Sequence, residues 1–305
     1  RRGAVGGIVN YVAVPNRYVG YLISLASHSY REMKIGLDCA NGASWMIAKA
    51  VFEALGARTY VMGTAPNGLN VNDGCGSTHI DALRKFVLEN HLDVGFAFDG
   101  DADRCIAVDE RGQTVDGDCI LYILATRLAA RGALGGNTVV CTVMSNSGLF
   151  KSLEAAGIRS EQTAVGDRFV YECMQQNGYS LGGEQSGHII FSEFAKTGDG
   201  ILTAVQLMCT MVQNNMRLSE LAKLMTKYPQ TLLNVPVKDK NGWEENRAIQ
   251  EVVAKYTEEL GDNGQILVRA SGTEPLIRIM AEGPSQLQLE EIAGKIAAVV
   301  NAELG

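Results

Sequence analysis

The sequence predicts an α/β protein: two α/β domains with mainly parallel (mixed) sheets, followed by a smaller α+β domain at the C-terminal end. Three observations carry that prediction. The chain has 305 residues, 46% of them apolar, which is more than one typical core and suits two or three domains of ~100 residues each. From Met33 to about Met225, short β-like runs alternate with stretches of helical period, the rhythm of parallel sheets joined by right-handed crossovers. After Tyr228-Pro229 the strands shorten and amphipathic helices dominate. The expected domains are 1–115, 116–227 and 228–305.

Arg17 to Ala26 reads as a helix, and nothing before it resembles the start of a domain, so further sequence upstream is expected. Strand Lys34 to Asp38 leads through the turn Cys39-Ala40-Asn41-Gly42 into a helix from Ala43 to Leu55, ended by Gly56. Strand Arg58 to Met62, a polar Pro66-Asn67-Gly68 loop and helix Ile80 to Asn90 come next. Strand Asp93 to Phe98 then delivers an acidic loop at its carboxyl end, where ligands sit in open α/β sheets.

Beyond a Val108 to Thr114 hairpin, Asp116-Gly117-Asp118 can cap a helix to about Arg131. Strand Thr138 to Val143, helix Gly148 to Ala156, strand Arg159 to Thr163 and helix Arg168 to Gln176 repeat the rhythm without a residue-level repeat. Strand-like runs Tyr179 to Leu181 and Ile189 to Phe191 precede helices Asp199 to Met216 and Ser219 to Met225. In the C-terminal domain, helix Trp243 to Leu260 and strands Gln265 to Ala270 and Leu276 to Glu282 lead to helix Ser285 to Ala302. That helix sets Leu289, Ile292, Ala293, Ile296, Val299 and Val300 on one face.

The net charge of −7 is spread over mixed-sign segments with no basic stripe, which argues against a nucleic-acid partner. No run approaches the ~20 apolar residues of a membrane helix. Arg1-Arg2 with the following Gly-Ala-Val-Gly-Gly-Ile-Val imitates a signal peptide, but Asn10 and Pro15-Asn16-Arg17 interrupt the apolar run. Seven cysteines without a CxxC pair suit a reduced, cytoplasmic protein with thiols used as small hydrophobes.

Between Phe98 and Cys105, Asp99-Gly100-Asp101-Ala102-Asp103-Arg104 places three carboxylates at alternate positions. A tight turn at Gly100 can aim all three at one hard cation such as Mg2+, and Arg104 suits an oxyanion beside it. An EF-hand would need glycine where Arg104 stands and helical flanks where these are β-like. An ordinary acidic surface turn is the plainer alternative.

Arg269-Ala270-Ser271-Gly272-Thr273-Glu274-Pro275 with Arg278 offers two guanidinium groups, two hydroxyls and glycine-permitted amides, a set that matches a phosphate monoester. A β-hairpin with exposed arginines is the alternative. Gly182-Gly183-Glu184-Gln185-Ser186-Gly187-His188 can present Glu184 and Ser186 to sugar hydroxyls. His188 there is either a proton-transfer group or a hydrogen-bonded structural histidine. Val165-Gly166-Asp167-Arg168 opens a helix, so Arg168 is either an anion contact or a member of a solvated cap. Lys196-Thr197-Gly198-Asp199-Gly200 is likewise a cap or a cation near the sugar, and His79 and His91 receive no role.

Taken together and in this order, the Asp-Gly-Asp-Ala-Asp-Arg, Gly-Glu-Gln-Ser-Gly-His and Arg-Ala-Ser-Gly-Thr-Glu-Pro-Leu-Ile-Arg loops resemble the α-D-phosphohexomutase family over nearly the whole chain. The resemblance implies Mg2+ at Asp99, Asp101 and Asp103 and phosphoryl support from Arg104. It implies sugar recognition by Glu184 and Ser186, with His188 as a proton-transfer candidate; Arg168 joins them as a substrate contact on the reading of its helix start alone. It also implies a clamp on the non-reacting phosphate at Arg269, Ser271, Gly272, Thr273 and Arg278. Gln185, Pro66 to Asn72 and Cys75-Gly76-Ser77 are most similar to the branch that interconverts glucosamine 6-phosphate and glucosamine 1-phosphate through a sugar bisphosphate, on the way to UDP-N-acetylglucosamine. Phosphorylated mannose or glucose as substrate, and a non-catalytic sugar-phosphate-binding module, are the alternatives. A homodimer stays open.

Members of that family carry an N-terminal domain whose Ser-His-Asn-Pro-type loop bears the phosphoserine. No such domain is found here, so the chain is expected to correspond to family domains two to four and to be incomplete for turnover. Leu25-Ala26-Ser27-His28-Ser29-Tyr30 imitates that loop but lacks the Asn-Pro and a preceding strand. Ser27 is therefore left out of the site.

Overall fold

The computed structural model describes residues 13–261, 264–272 and 274–305. They gather into two compact units, residues up to 143 with 153–225, and 144–152 with 226–305.

The first unit holds two mixed sheets. Helix α1 (Ala13–Ser24) precedes β1 (Lys34–Asp38), α2 (Ala48–Ala54), β2 (Arg58–Met62), α3 (Ile80–Glu89), β3 (Val94–Phe98), β4 (Cys105–Asp109) and β5 (Thr114–Val115). The strand order is β2-β1-β3-β4-β5, with β1 parallel to β2 and β3, and β4 antiparallel to β3 and β5. The second sheet runs through α4 (Gly117–Ala130), β6 (Thr138–Thr142), β7 (Arg159–Thr163), α6 (Asp167–Asn177), β8 (Leu181–Gly183) and β9 (Ile189–Phe191); α5 (Ser147–Ala155), between β6 and β7 in the chain, has its residues 147–152 in the second unit. Its order is β7-β6-β8-β9, antiparallel only at β9. Helix α7 (Gly200–Asn214), buried from Gly200 to Met211, and the short α8 (Leu218–Ala222) complete the unit. β3 is buried at every position, so the loop after it is aimed by a fully packed strand.

Aromatic packing ties α7 to the first sheet. Phe96 of β3 stacks on Phe52 of α2 at 5.9 Å, and Tyr30 tilts against Phe52 at 6.2 Å. The Tyr30 hydroxyl, fully buried, donates to the Val205 carbonyl of α7 at 2.9 Å.

The second unit is an antiparallel three-stranded sheet covered by helices. Its elements are β10 (Gln230–Pro236), α9 (Arg247–Leu260), β11 (Gln265–Ala270), β12 (Leu276–Glu282) and α10 (Gln286–Leu304), in strand order β10-β12-β11. Leu289, Ile292, Ala293, Ile296 and Val300 of α10 are buried against Ile277 and Ile279. The segment 144–152 is fastened to this unit by Glu282. That buried carboxylate accepts the Ser147 N–H at 2.8 Å, a Gln230 amide at 2.6 Å and the Ser147 hydroxyl.

Three expectations differ. The helix expected from Ala43 to Leu55 is split into a 3-10 turn, Ala43–Met46, and α2. Its first amide, Ala43 N–H, is drawn instead to the Gly100 carbonyl at 2.8 Å. The helix expected from Trp243 starts at Arg247, where the Asn246 side chain caps it by accepting from Ile249 N–H at 3.1 Å. Strand β10 went unforeseen; it lies at the sheet edge, where Pro236 is tolerated. Ser27 falls in the connection from α1 to β1, with its hydroxyl 2.8 Å from His28 Nδ1. Among the described residues no helix is long and apolar enough to cross a membrane.

Replacing Tyr30 by Phe removes the buried bond to Val205 but leaves the ring in place. We expect a loss of about 1 kcal/mol in urea unfolding of the first unit; unchanged stability would show that the bond is dispensable.

Candidate active site

The acidic loop turns where Ala102 N–H donates to the Asp99 carbonyl at 3.1 Å. The strained residue is Ala102, at φ 62°, and not Gly100. Gly100 is small for another reason: a Cβ on it would lie 2.5 Å from Val71 Cγ1, and one on Gly42 would lie 2.4 Å from the Gly100 carbonyl oxygen. The loop is thus braced by close backbone approach.

This turn does not aim the three carboxylates equally. Asp99 and Asp103 are neighbours, whereas Asp101 is exposed. Burial first, then the hydrogen bond and charge of Asp103, push the Asp99 carboxyl above its usual range; the Arg104 amide and charge partly offset this. Asp99 accepts Arg104 N–H at 3.2 Å, and the Arg104 guanidinium stands 3.9 Å away. Asp103 Oδ1 is buried without a hydrogen-bond partner. Among the described residues no cluster of three or more His, Cys, Asp or Glu side chains is gathered closely enough to hold a metal ion. The paired carboxylates and the orphaned oxygen fit a hard divalent cation, since like charges and an unpaired buried acceptor are both relieved by one.

His188, at the end of the sugar loop, is nearly fully buried between the acidic loop and Gly198. Its Nδ1 lies 3.1 Å from Asp103 Oδ2, and its Nε2 accepts Gly198 N–H at 3.0 Å. An Nε2 that accepts an amide proton carries none, so the network assigns the ring proton to Nδ1, donated to Asp103. The expected proton-transfer role thus finds both ring nitrogens engaged. A β-bridge joins Arg104 to His188, and a Cβ on Gly198 would lie 2.6 Å from the ring.

The sugar loop closes as a tight turn, with Gly187 N–H donating to the Glu184 carbonyl at 3.0 Å. Glu184 is half-buried and accepts Gly166 N–H at 3.0 Å, while Ser186 is exposed. Arg168 is not turned to the loop: it pairs with Glu172 at 2.7 Å on the exposed face of α6. Its neighbour Asp167 comes to 4.0 Å from His188 Nε2 instead. Beside the acidic loop a cavity of about 320 Å³ is lined by Tyr18, Ser44, Asp101, Asp103, Thr197 and Asp199. Asp199 caps α7 by accepting Leu202 N–H at 2.9 Å and takes the Tyr18 hydroxyl at 2.5 Å. Burial raises the pKa values of both Asp199 and Tyr18. Sequence reading missed Tyr18, whose partner lies 181 residues away.

In the second unit, Arg269 of β11 and Arg278 of β12 stand directly opposite each other. Burial, then the charge of Arg278, depresses the Arg269 pKa. Arg278 reaches Glu274 at 3.3 Å, and its Nε is buried without a hydrogen-bond partner. Like charges directly across a strand pair are destabilising, so the two guanidinium groups suit a shared anion. Ser271 is buried and accepts Glu274 N–H at 3.3 Å, Gly272 is exposed, and Thr273 lies outside the described residues.

Three family models match the chain: phosphoglucomutase/phosphomannomutase alpha/beta/alpha domain II over residues 16–112, alpha/beta/alpha domain III over 116–228 and the C-terminal domain over 232–299. Among curated relatives, the phosphoglucosamine mutase of Lachnospira eligens is 51% identical over 99% of this chain and 67% of its own length. That of Bacillus licheniformis is 52% identical over 99% of this chain and 68% of its own length. The chain therefore spans about two thirds of the length of these relatives. Among solved structures, a phosphoglucomutase/phosphomannomutase family protein from Burkholderia thailandensis superposes with a TM-score of 0.78 at 22% identity, over 95% of this chain and 64% of that one. The Aspergillus fumigatus N-acetylphosphoglucosamine mutase, solved with GlcNAc-6P and magnesium, gives 0.78 at 18% identity, over 96% and 66%. The latter two show the fold. Identity of about one half along almost the entire chain shows more: this chain belongs to the phosphoglucosamine mutases of the phosphoglucomutase/phosphomannomutase family.

Proposed function

We propose that the protein works in the interconversion of glucosamine 6-phosphate and glucosamine 1-phosphate through a glucosamine bisphosphate, on the route to UDP-N-acetylglucosamine. The observation that carries this reading is the 51% identity, over 99% of the chain, with a phosphoglucosamine mutase. The site chemistry supports it, because phosphoryl transfer asks a protein for positioning and charge neutralisation more than for covalent chemistry. We assign the metal loop to a domain of residues 1–115, sugar recognition to 116–227 and the phosphate clamp to 228–305, a division supported by the family-model spans.

In this reading Asp99 and Asp103, with Asp101 on the same turn, hold Mg2+, which neutralises charge on the phosphoryl group when bound. Arg104 adds a positive charge beside Asp99. His188 orients Asp103 through Nδ1 and is itself fixed by Gly198 N–H. Glu184 and Ser186 contact the sugar hydroxyls. Arg269 and Arg278 hold the phosphate that is not reacting, with Ser271, Gly272 and Thr273 shaping the loop. Arg168, engaged with Glu172, would contact substrate only after leaving that partner. The free thiols support a reducing, cytoplasmic setting.

Calorimetric titration of the 305-residue chain with the 6-phosphates of glucosamine, glucose and mannose is expected to show a preference for glucosamine. Arg278→Met should weaken binding roughly tenfold to a hundredfold, the loss of charge-assisted bonds to phosphate. Preference for a neutral sugar would overturn the glucosamine assignment, and equal binding of all three would mark a binding module.

Mn2+, as a probe for Mg2+ followed by electron paramagnetic resonance, should bind the wild-type chain and bind Asp103→Asn at least about tenfold more weakly. Equal binding would remove Asp103 from the metal site.

A further inference from the structure

The loop from Arg269 to Arg278 draws on a cation that its own motif does not contain. Lys240, half-buried in the segment after β10, donates to the Ser271 carbonyl at 2.6 Å and to the Gly272 carbonyl at 3.1 Å. A lysine ammonium has three donors and no acceptor, and here two of them hold consecutive carbonyls of one loop. The described peptide bonds are all trans and planar, so the N–H of a peptide points opposite to its carbonyl. Turning the Ser271 carbonyl toward Lys240 therefore turns the Gly272 N–H away from it. A Cβ built on Gly272 meets no atom within 4 Å, so the loop is open on that side of the residue. Carbonyl oxygens repel an anion, whereas amides and guanidinium groups attract one. Two carbonyls of the loop are thus occupied by Lys240, while Arg269 and Arg278 stand across from each other on the flanking strands.

We propose that Lys240 is a positioning residue of the phosphate loop: it holds the Ser271 and Gly272 carbonyls away from a phosphate monoester and adds a positive charge behind the loop. The inference rests on the reading of Arg269, Ser271, Gly272 and Arg278 as a phosphate site, and it adds a residue that the loop motif does not include.

The test titrates inorganic phosphate and glucosamine 6-phosphate into the 305-residue chain by calorimetry, with the Gly272 amide followed by 15N NMR. Lys240→Met should weaken both ligands about tenfold, a loss of the size charge-assisted hydrogen bonds carry, and shift the Gly272 amide signal before ligand is added. Lys240→Arg, which keeps charge and donors, should recover most of the affinity. Lys238→Met, at an exposed neighbour, should leave it unchanged and so control for net charge. Should Lys240→Met unfold, Lys240→Gln is read in its place, since its amide still donates but lacks the charge; an intermediate loss is expected. Wild-type affinity in Lys240→Met, or an equal loss in Lys238→Met, would overturn the assignment. If the wild-type chain binds neither ligand, the phosphate site itself fails and Lys240 falls with it.

Discussion

Asp99 with Asp103 in the first unit, and Arg269 with Arg278 in the second, are like-charged pairs held together by the fold. Like charges brought near each other repel, and the backbone around each pair is constrained. In the first unit the constraint is close approach: Gly42 against Gly100, Gly198 against the His188 ring and Gly200 against the Arg104 carbonyl, each with no room for a side chain. In the second it is strand register, which sets Arg269 directly across from Arg278. A ligand of opposite sign would relieve each pair.

The supports of these pairs are polar and nearly saturated. His188 uses both ring nitrogens, one toward Asp103 and one toward Gly198, and thereby links the acidic loop to the amino end of α7. Asp199 closes that end by capping α7 and receiving the Tyr18 hydroxyl of α1. Among the buried side-chain atoms left without a partner are Asp103 Oδ1 in one unit and Arg278 Nε in the other. Buried polar atoms without partners are costly and rare, and these two belong to the loops that sequence chemistry had marked for a cation and an anion.

The features of the site that could be read from sequence are those whose chemistry is local. Alternating aspartates, two arginines around a Ser-Gly-Thr turn, and Glu184 between glycines announce themselves within a few residues. The alternation of strands and helices was equally legible, because hydrophobic period is a short-range signal. Long-range geometry was not. Arg168 and Asp167 are adjacent, and nothing in Gly-Asp-Arg says that the arginine pairs with Glu172 while the aspartate approaches His188. The helix expected from Ala43 loses its first turn to the Gly100 carbonyl, a partner far along the chain. Lys240 stands in a polar stretch with no pattern of its own, and only the fold brings it to the Ser271 and Gly272 carbonyls.

The two pairs also differ in the sign of the charge around them. At the acidic loop two carboxylates face one guanidinium, that of Arg104, so the local balance is negative and an unaccompanied phosphate is repelled. A balance of that sign favours a cation, and Arg104 would attract an oxyanion only with the carboxylates neutralised. At the phosphate loop Arg269, Arg278 and Lys240 outweigh Glu274, so the balance is positive and needs no metal to hold a phosphate group. The chain as a whole carries a net charge of −7, so a local excess of cations such as this one is what an anionic ligand would need in order to approach.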